Sequence, residues 1–139
     1  MAGRSIEGLY EFLAEEFPQT RHLDLKIEQA GGGTARVRLP ISDEHLRPGG
    51  TVSGPTMFWL ADLGFYMVLM ADMDGVEQAV TTNLNINFLR RPGTGDLIAD
   101  VKMLKDGKRL CVAECSIFSD GEEGPVAHVT ATYSIPPKK

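Results

Sequence analysis

The stretch PTMFWLADLGFYMVLMA, Pro55–Ala71, is apolar on nearly every side of a helix and carries one charge, Asp62. A helix that is hydrophobic all round has to be covered all round. The segment is about the minimum length for a membrane span. Asp62 sits near its middle, where a charge costs about 3 kcal/mol on insertion scales. The flanking charges, Asp72 and Asp74, are acidic rather than basic. The expectation is therefore a buried central helix and no membrane. Pro55 suits a first helical turn, where its missing N–H is no loss, and Asp74-Gly75 breaks the chain beyond the end.

Outward from this helix, the apolar spacing changes period. Ile6, Leu9, Tyr10, Leu13 and Phe17 follow helical spacing within Ser5–Phe17, and Pro18 ends that segment. Leu23, Leu25 and Ile27 alternate with polar residues. After Gly31-Gly32-Gly33, so do Ala35, Val37 and Leu39, which predicts a hairpin with one wet face. Pro48-Gly49-Gly50 marks a turn. Four strands are expected after the central helix: Val80–Leu89, Asp96–Leu104, Arg109–Phe118 and Pro125–Ser134. In the first, Val80, Leu84, Ile86 and Phe88 share one side, and Thr81, Asn83, Asn85 and Asn87 the other. Helix-period and strand-period segments are segregated, so the class is α+β with a mostly antiparallel sheet. A sheet wrapped around Pro55–Ala71 would cover that helix. The 139 residues suit one domain, with residues 1–20 as an extra N-terminal helix and 21–139 as the core.

Composition narrows the function. Lys plus Arg is 14 against 19 Asp plus Glu, a net charge of −5. Nucleic-acid binding needs a basic surface for phosphate contacts, so no nucleic-acid partner is expected. The basic residues do gather in the C-terminal half: Arg90, Arg91, Lys102, Lys105, Lys108 and Arg109. Cys111 and Cys115 are too far apart along one strand to pair. With no signal-peptide pattern at the N-terminus, a reduced, cytoplasmic protein is expected. His22, His45 and His128 share no metal-ligand spacing, so no metal is expected, and no dinucleotide, Walker or nucleophile-elbow motif is present.

An Asp among apolar side chains must find partners. Burial raises its pKa and nearby donors lower it. Asp62 is either a structural carboxylate or an acid–base group. Ser53-Gly54-Pro55 enters the same helix, where free N–H groups and a partial positive charge gather. Such a terminus is either an ordinary cap or a site that polarises a carbonyl oxygen. Gly54 and Asp62 are about 12 Å apart along one helix at 1.5 Å per residue. One helix cannot focus both on one carbonyl, but helices from two subunits can.

Together these features resemble the hotdog-fold thioesterases, in the PaaI-like branch associated with phenylacetate metabolism. The residues carrying the resemblance are Gly54, Phe58-Trp59-Leu60-Ala61-Asp62, Asn83–Pro92 with its Phe88-Leu89-Arg90-Arg91-Pro92 ending, Gly95-Asp96, and Lys105–Arg109. The resemblance implies a hotdog fold whose sheet wraps the central helix, with subunits paired by their sheets as a homodimer or homotetramer. It implies hydrolysis of an acyl-CoA thioester, with Asp62 as nucleophile or general base and Gly54 of another subunit polarising the carbonyl. Sites then lie between subunits. Thr81, with Thr82 beside it, occupies the position of an assisting hydroxyl. Arg90 and Arg91 are placed to meet coenzyme A phosphates, and coenzyme A enters as part of the substrate, with no separate cofactor. The chain departs from the family pattern at the helix entry. Ser53-Gly54-Pro55 stands where His-Gly-Gly is usual, and Arg47 stands where an Asn is frequent; both Ser53 and Arg47 remain candidate substrate contacts. The aromatic residues and methionines of the helix suit a medium-chain or aromatic acyl group. Two alternatives are a non-catalytic acyl- or aromatic-binding hotdog protein and an enoyl-CoA hydratase-type enzyme.

Overall fold

A computed structural model describes residues 3–137 of the chain. Ile6–Glu16 forms helix α1, capped by the Ser5 hydroxyl, which accepts from the Gly8 N–H at 3.1 Å. Its apolar stripe buries Leu9, Phe12 and Leu13. The chain then makes a short 3-10 turn, Pro18–Leu23, instead of the strand that the alternation of Leu23 and Leu25 predicts. Pro18 favours a turn at this start. Asp24 then adopts a left-handed conformation (φ 55°) that Asp tolerates better than most residues. Strand β1 therefore begins only at Lys26.

Six strands make one antiparallel sheet: β1 (Lys26–Gly31), β2 (Thr34–Leu39), β3 (Val80–Phe88), β4 (Leu97–Asp106), β5 (Leu110–Ser119) and β6 (Ala127–Ser134). Their spatial order is β1-β2-β4-β5-β6-β3. The long helix α2, Gly54–Asp72, lies across the concave face. It buries Met57, Leu60, Phe65, Met67, Val68 and Leu69 among inward residues of the strands, including Val37, Leu97, Ile117 and Val129. This is the covering that its composition demands, and it accounts for a span-length apolar helix inside a packed core. Cys111 and Cys115 are buried and unpaired, as their spacing predicts, and burial raises both thiol pKa values.

The wet face of the sheet carries an ion-pair network. Arg36 pairs with Glu28 and Asp100, and Arg38 with Glu28, Asp96 and Asp120, at 2.7–3.2 Å. The Arg36 and Arg38 guanidinium groups hold the Glu28 carboxyl below the usual carboxylate range, its bond from Arg38 being the largest cause.

Two features of this fold position the site. α2 lies so close to β4 that a methyl group on Gly64 would meet Val101 Cγ2 at 2.8 Å. At the other end of the sheet, β3 pairs with β6 alone, and its second edge has no neighbour among the described residues. Val80, Phe88 and Leu89 along that strand and its exit are more than half exposed.

The glycine contact yields a stability prediction. Gly64→Val should lower stability by about 1–3 kcal/mol through overpacking against Val101. Urea unfolding read by far-UV circular dichroism would show it as a lower midpoint.

Candidate active site

Asp62 leaves α2 half-buried, aimed at the sheet between β3 and β6. Its Oδ1 accepts a hydrogen bond from Thr81 Oγ1 at 2.7 Å and another from the Tyr133 hydroxyl at 2.6 Å. The Tyr133 hydroxyl also lies 2.8 Å from the backbone oxygen of Asp62. Tyr133 is itself buried. Burial first, and then its bond to Asp62, push its pKa far above the usual phenol value, so it stays a donor.

Thr81 reaches this carboxylate because β3 is irregular. Strict alternation puts Thr81 on the side opposite Leu84 and Ile86. In the sheet, Thr81 stands opposite Tyr133 while Asn83 stands opposite Thr132, so Thr82 is an extra residue in the ladder. One extra residue reverses the phase of a strand. Thr81 thereby joins Leu84 and Ile86 on the helix side, and the asparagines stay outside. The same bulge turns Thr82 away from Asp62. Its hydroxyl is spent on the Thr132 carbonyl at 3.2 Å and does not reach the carboxylate.

A cavity of about 300 Å³ opens beside Asp62. It is lined by Phe17, Trp59, Leu63, Tyr66, Ala79, Val80, Thr81 and Tyr133 together with Asp62, a mostly apolar wall with one carboxylate and three hydroxyl groups, two of which bond the carboxylate. Phe17 and Phe12 meet Tyr66 edge-on at 6.4 and 5.8 Å between ring centres, so the N-terminal segment closes one side. Tyr66 is anchored by its own hydroxyl, which donates to the Glu77 carbonyl at 2.6 Å.

The remaining candidates gather elsewhere. Gly54, Arg47, Arg90 and Arg91 line a second, larger cavity of about 640 Å³ with Met57, Phe88 and Leu89. Ser53 does not face a ligand freely. It is the N-cap of α2, accepting from the Thr56 N–H at 3.3 Å, with its hydroxyl 2.8 Å from that of Thr56. The Gly54 N–H, in the first turn, has no acceptor among the described residues. The Phe88 ring packs close on Gly54, where an added Cβ would sit 3.2 Å from Cζ. Arg90 donates to the Pro125 carbonyl at 2.8 Å and Arg91 to the Gly49 carbonyl at 3.3 Å, which fixes both beside the helix entry. The basic residues therefore divide: Arg90 and Arg91 flank the Gly54 cavity, while Lys102 and Lys105 belong to β4, and Lys108 and Arg109 to the turn between β4 and β5.

His45 is buried in the loop before α2. It accepts from the Ser42 N–H through Nδ1 at 3.0 Å, and its carbonyl accepts from the Ser53 N–H at 2.8 Å. His22 and His128 bond to Glu44 and Glu114. No group of His, Cys, Asp and Glu among the described residues is arranged to hold a metal.

The chain's acid and its free helix-terminal donor thus belong to two separate cavities. Sequence reasoning missed Tyr133 and Phe17. The available signal for Tyr133 was a hydroxyl on the core face of the last strand, in line with Val129 and Ala131, because a buried phenol seeks an acceptor. Which acceptor it finds is a tertiary fact.

Comparison with known proteins agrees with this architecture. The family model described as "Thioesterase superfamily" matches residues 49–126. A crystal structure from Silicibacter sp. TM1040, described as a "putative thioesterase", is 41% identical, with a TM-score of 0.87 over 99% of this chain and 95% of that one. A "putative esterase" of Saccharolobus solfataricus is 28% identical over 94% of this chain and 85% of its own length. The phenylacetic acid degradation protein PaaI from Thermus thermophilus, solved as a mutant, shares the fold at 24% identity, with a TM-score of 0.74 over 86% of this chain and 99% of that one. A helix wrapped by an antiparallel sheet, matched over more than half its length by one family model, places this chain in the thioesterase superfamily, with the hotdog fold.

Proposed function

We propose that the protein hydrolyses an acyl-CoA thioester of medium-chain or aromatic acyl group, in sites shared by two copies of the chain. The observation that carries this reading is the pair of half-sites: a carboxylate held by two hydroxyl groups in one cavity, and in the other a helix-terminal N–H with no acceptor among the described residues.

The free edge of β3 supports the joining of the two. An unpaired, exposed edge strand is a template for another strand. Antiparallel pairing of β3 with β3 of a second copy, centred near Leu84 and Asn85, sets the Phe88 end of one strand beside the Thr81 end of the other. Phe88 packs on Gly54, and Thr81 bonds Asp62. The Gly54 donor of one copy then approaches the Asp62 carboxylate of the other, which removes the separation along a single helix. The outcome is a homodimer with two equivalent sites, able to pair again into a tetramer.

In such a site the thioester carbonyl oxygen accepts from the Gly54 N–H, and the helix terminus stabilises the negative charge that develops there. Asp62 either attacks the carbonyl carbon or takes a proton from a water that does. In both routes water adds across the C–S bond, the acyl group leaves as a carboxylic acid and coenzyme A leaves as the thiol. Arg90, Arg91 and Arg47 surround the helix entry and suit the phosphates of coenzyme A. Two protonated, unpaired cysteines fit a reduced, cytoplasmic setting. The hydratase alternative needs a histidine at the acid, and among the residues lining the Asp62 cavity there is none.

An acyl-CoA panel with a thiol reagent tests the activity. The wild type should release free thiol, and Asp62→Asn should lose at least about a hundredfold in kcat. Wild-type rates in Asp62→Asn would eliminate the carboxylate mechanism. Binding of acyl-CoA with no release across the panel would identify a non-catalytic binder instead.

Gly54→Pro deletes the proposed donor, at some cost in stability, because the new ring meets Phe88 and stands in the helix just before Pro55. Proline is tolerated in the first helical turn, and Ser53 is already extended (φ −73°, ψ 151°), as a residue before proline must be. We expect a loss of about 10²–10³ in kcat. Refolding a mixture of Asp62→Asn and Gly54→Pro should restore roughly a quarter of wild-type activity, because half the dimers are mixed and each has one intact site. No recovery in verified mixed dimers would place both groups in one chain's site.

A further inference from the structure

Tyr133 lies outside residues 49–126, the part of the chain that the family model matches, so membership in the family assigns it no role. Its position is nonetheless specific. Its hydroxyl contacts two oxygens of one residue, Asp62 Oδ1 at 2.6 Å and the Asp62 backbone oxygen at 2.8 Å. A side chain tied to its own backbone through a third group cannot swing about its torsions without breaking that tie. Thr81 adds a second bond to the same Oδ1 at 2.7 Å. A carboxylate oxygen that accepts two bonds has little capacity left for a third partner. Oδ2 has no hydrogen-bond partner among the described residues.

We infer that Tyr133 is a positioning residue: with Thr81 it locks Oδ1 of Asp62 and leaves Oδ2 as the oxygen that meets the thioester carbon or the attacking water. The inference rests on the reading of Asp62 as the reacting carboxylate. Burial suits Tyr133 to the task, because a phenol so placed keeps its proton and remains a donor. The two hydroxyl groups also come from neighbouring strands, β3 and β6, whose local register is set by the Thr82 bulge. A shift of that register by one residue would turn Thr81 to the outer face and leave Tyr133 as the one remaining lock.

Tyr133→Phe isolates the hydroxyl. The ring keeps its place against Phe65, 6.4 Å between centres, and the Asp62 carbonyl keeps its helical acceptor role toward the residue four further on. The variant should therefore fold, with a melting temperature close to wild type. Steady-state kinetics on the best acyl-CoA should show kcat lower by about ten- to a hundredfold, the usual weight of a bond to a charged group, with KM nearly unchanged. A wild-type kcat in Tyr133→Phe overturns the inference, and so does a parallel loss of kcat, KM and melting temperature, which marks a merely structural tyrosine. Asp62→Asn, assayed alongside, separates the two claims: if it is inactive while Tyr133→Phe is normal, the carboxylate stands and the lock falls. If the wild type releases no thiol at all, the proposed function falls, and crystal structures of wild type and Tyr133→Phe decide the lock by themselves. A carboxylate that turns in the variant supports it, and one that stays in place refutes it.

Discussion

The burial of α2 is the constraint from which the rest of the structure follows. A helix with apolar groups on nearly every side gains stability from each face that is removed from water, at roughly 25 cal/mol per Å². One flat neighbour cannot cover it. A twisted antiparallel sheet, curved across its length, covers most of it, and helix α1 with the turn after it covers part of the remainder. Gly64 marks how tight this contact is, since α2 and β4 approach until the Val101 side chain leaves no room for one on Gly64. The same burial makes Asp62 conspicuous, because a carboxylate in that helix must be met by donors.

Those donors are supplied by the sheet. Tyr133 comes from the regular inward face of β6, and Thr81 arrives through a one-residue defect in β3. A bulge interrupts the ladder and re-aims the strand, a device found near working sites. Here it converts an outward threonine into a partner of the acid while leaving the asparagines of β3 outside. The local irregularity and the chemistry belong to one arrangement.

The sheet also ends abruptly. β3, which carries Thr81 at one end and packs Phe88 on Gly54 at the other, has a partner on one edge only among the described residues. In the proposed dimer that unpaired edge joins two half-sites whose separation within one chain follows from helix geometry. The helix entry itself offers few donors. Ser53 is occupied as a cap, Pro55 contributes no donor, and the Gly54 N–H remains as the available group. Arg47 lines the same cavity and raises the positive potential of the entry.

The sequence by itself determined the central helix, the strands, the α+β class and the family resemblance, because period and polarity are local properties and Pro55–Ala71 admits few ways of being covered. It also picked out Asp62 and Gly54, one by its charge in an apolar segment and the other by its place at a helix entry. Other features were decided only in three dimensions. The strand predicted at Leu23 gave way to a turn, because Pro18 and Asp24 outweigh a short alternation. Thr81 and Thr82 were indistinguishable as neighbours until the bulge sent one to the carboxylate and the other to the Thr132 carbonyl. Tyr133, 71 residues beyond Asp62 in the chain, carries no sequence mark of its partner. Hydrogen bonds between distant residues depend on register and on the path of the whole sheet, and no local pattern encodes either.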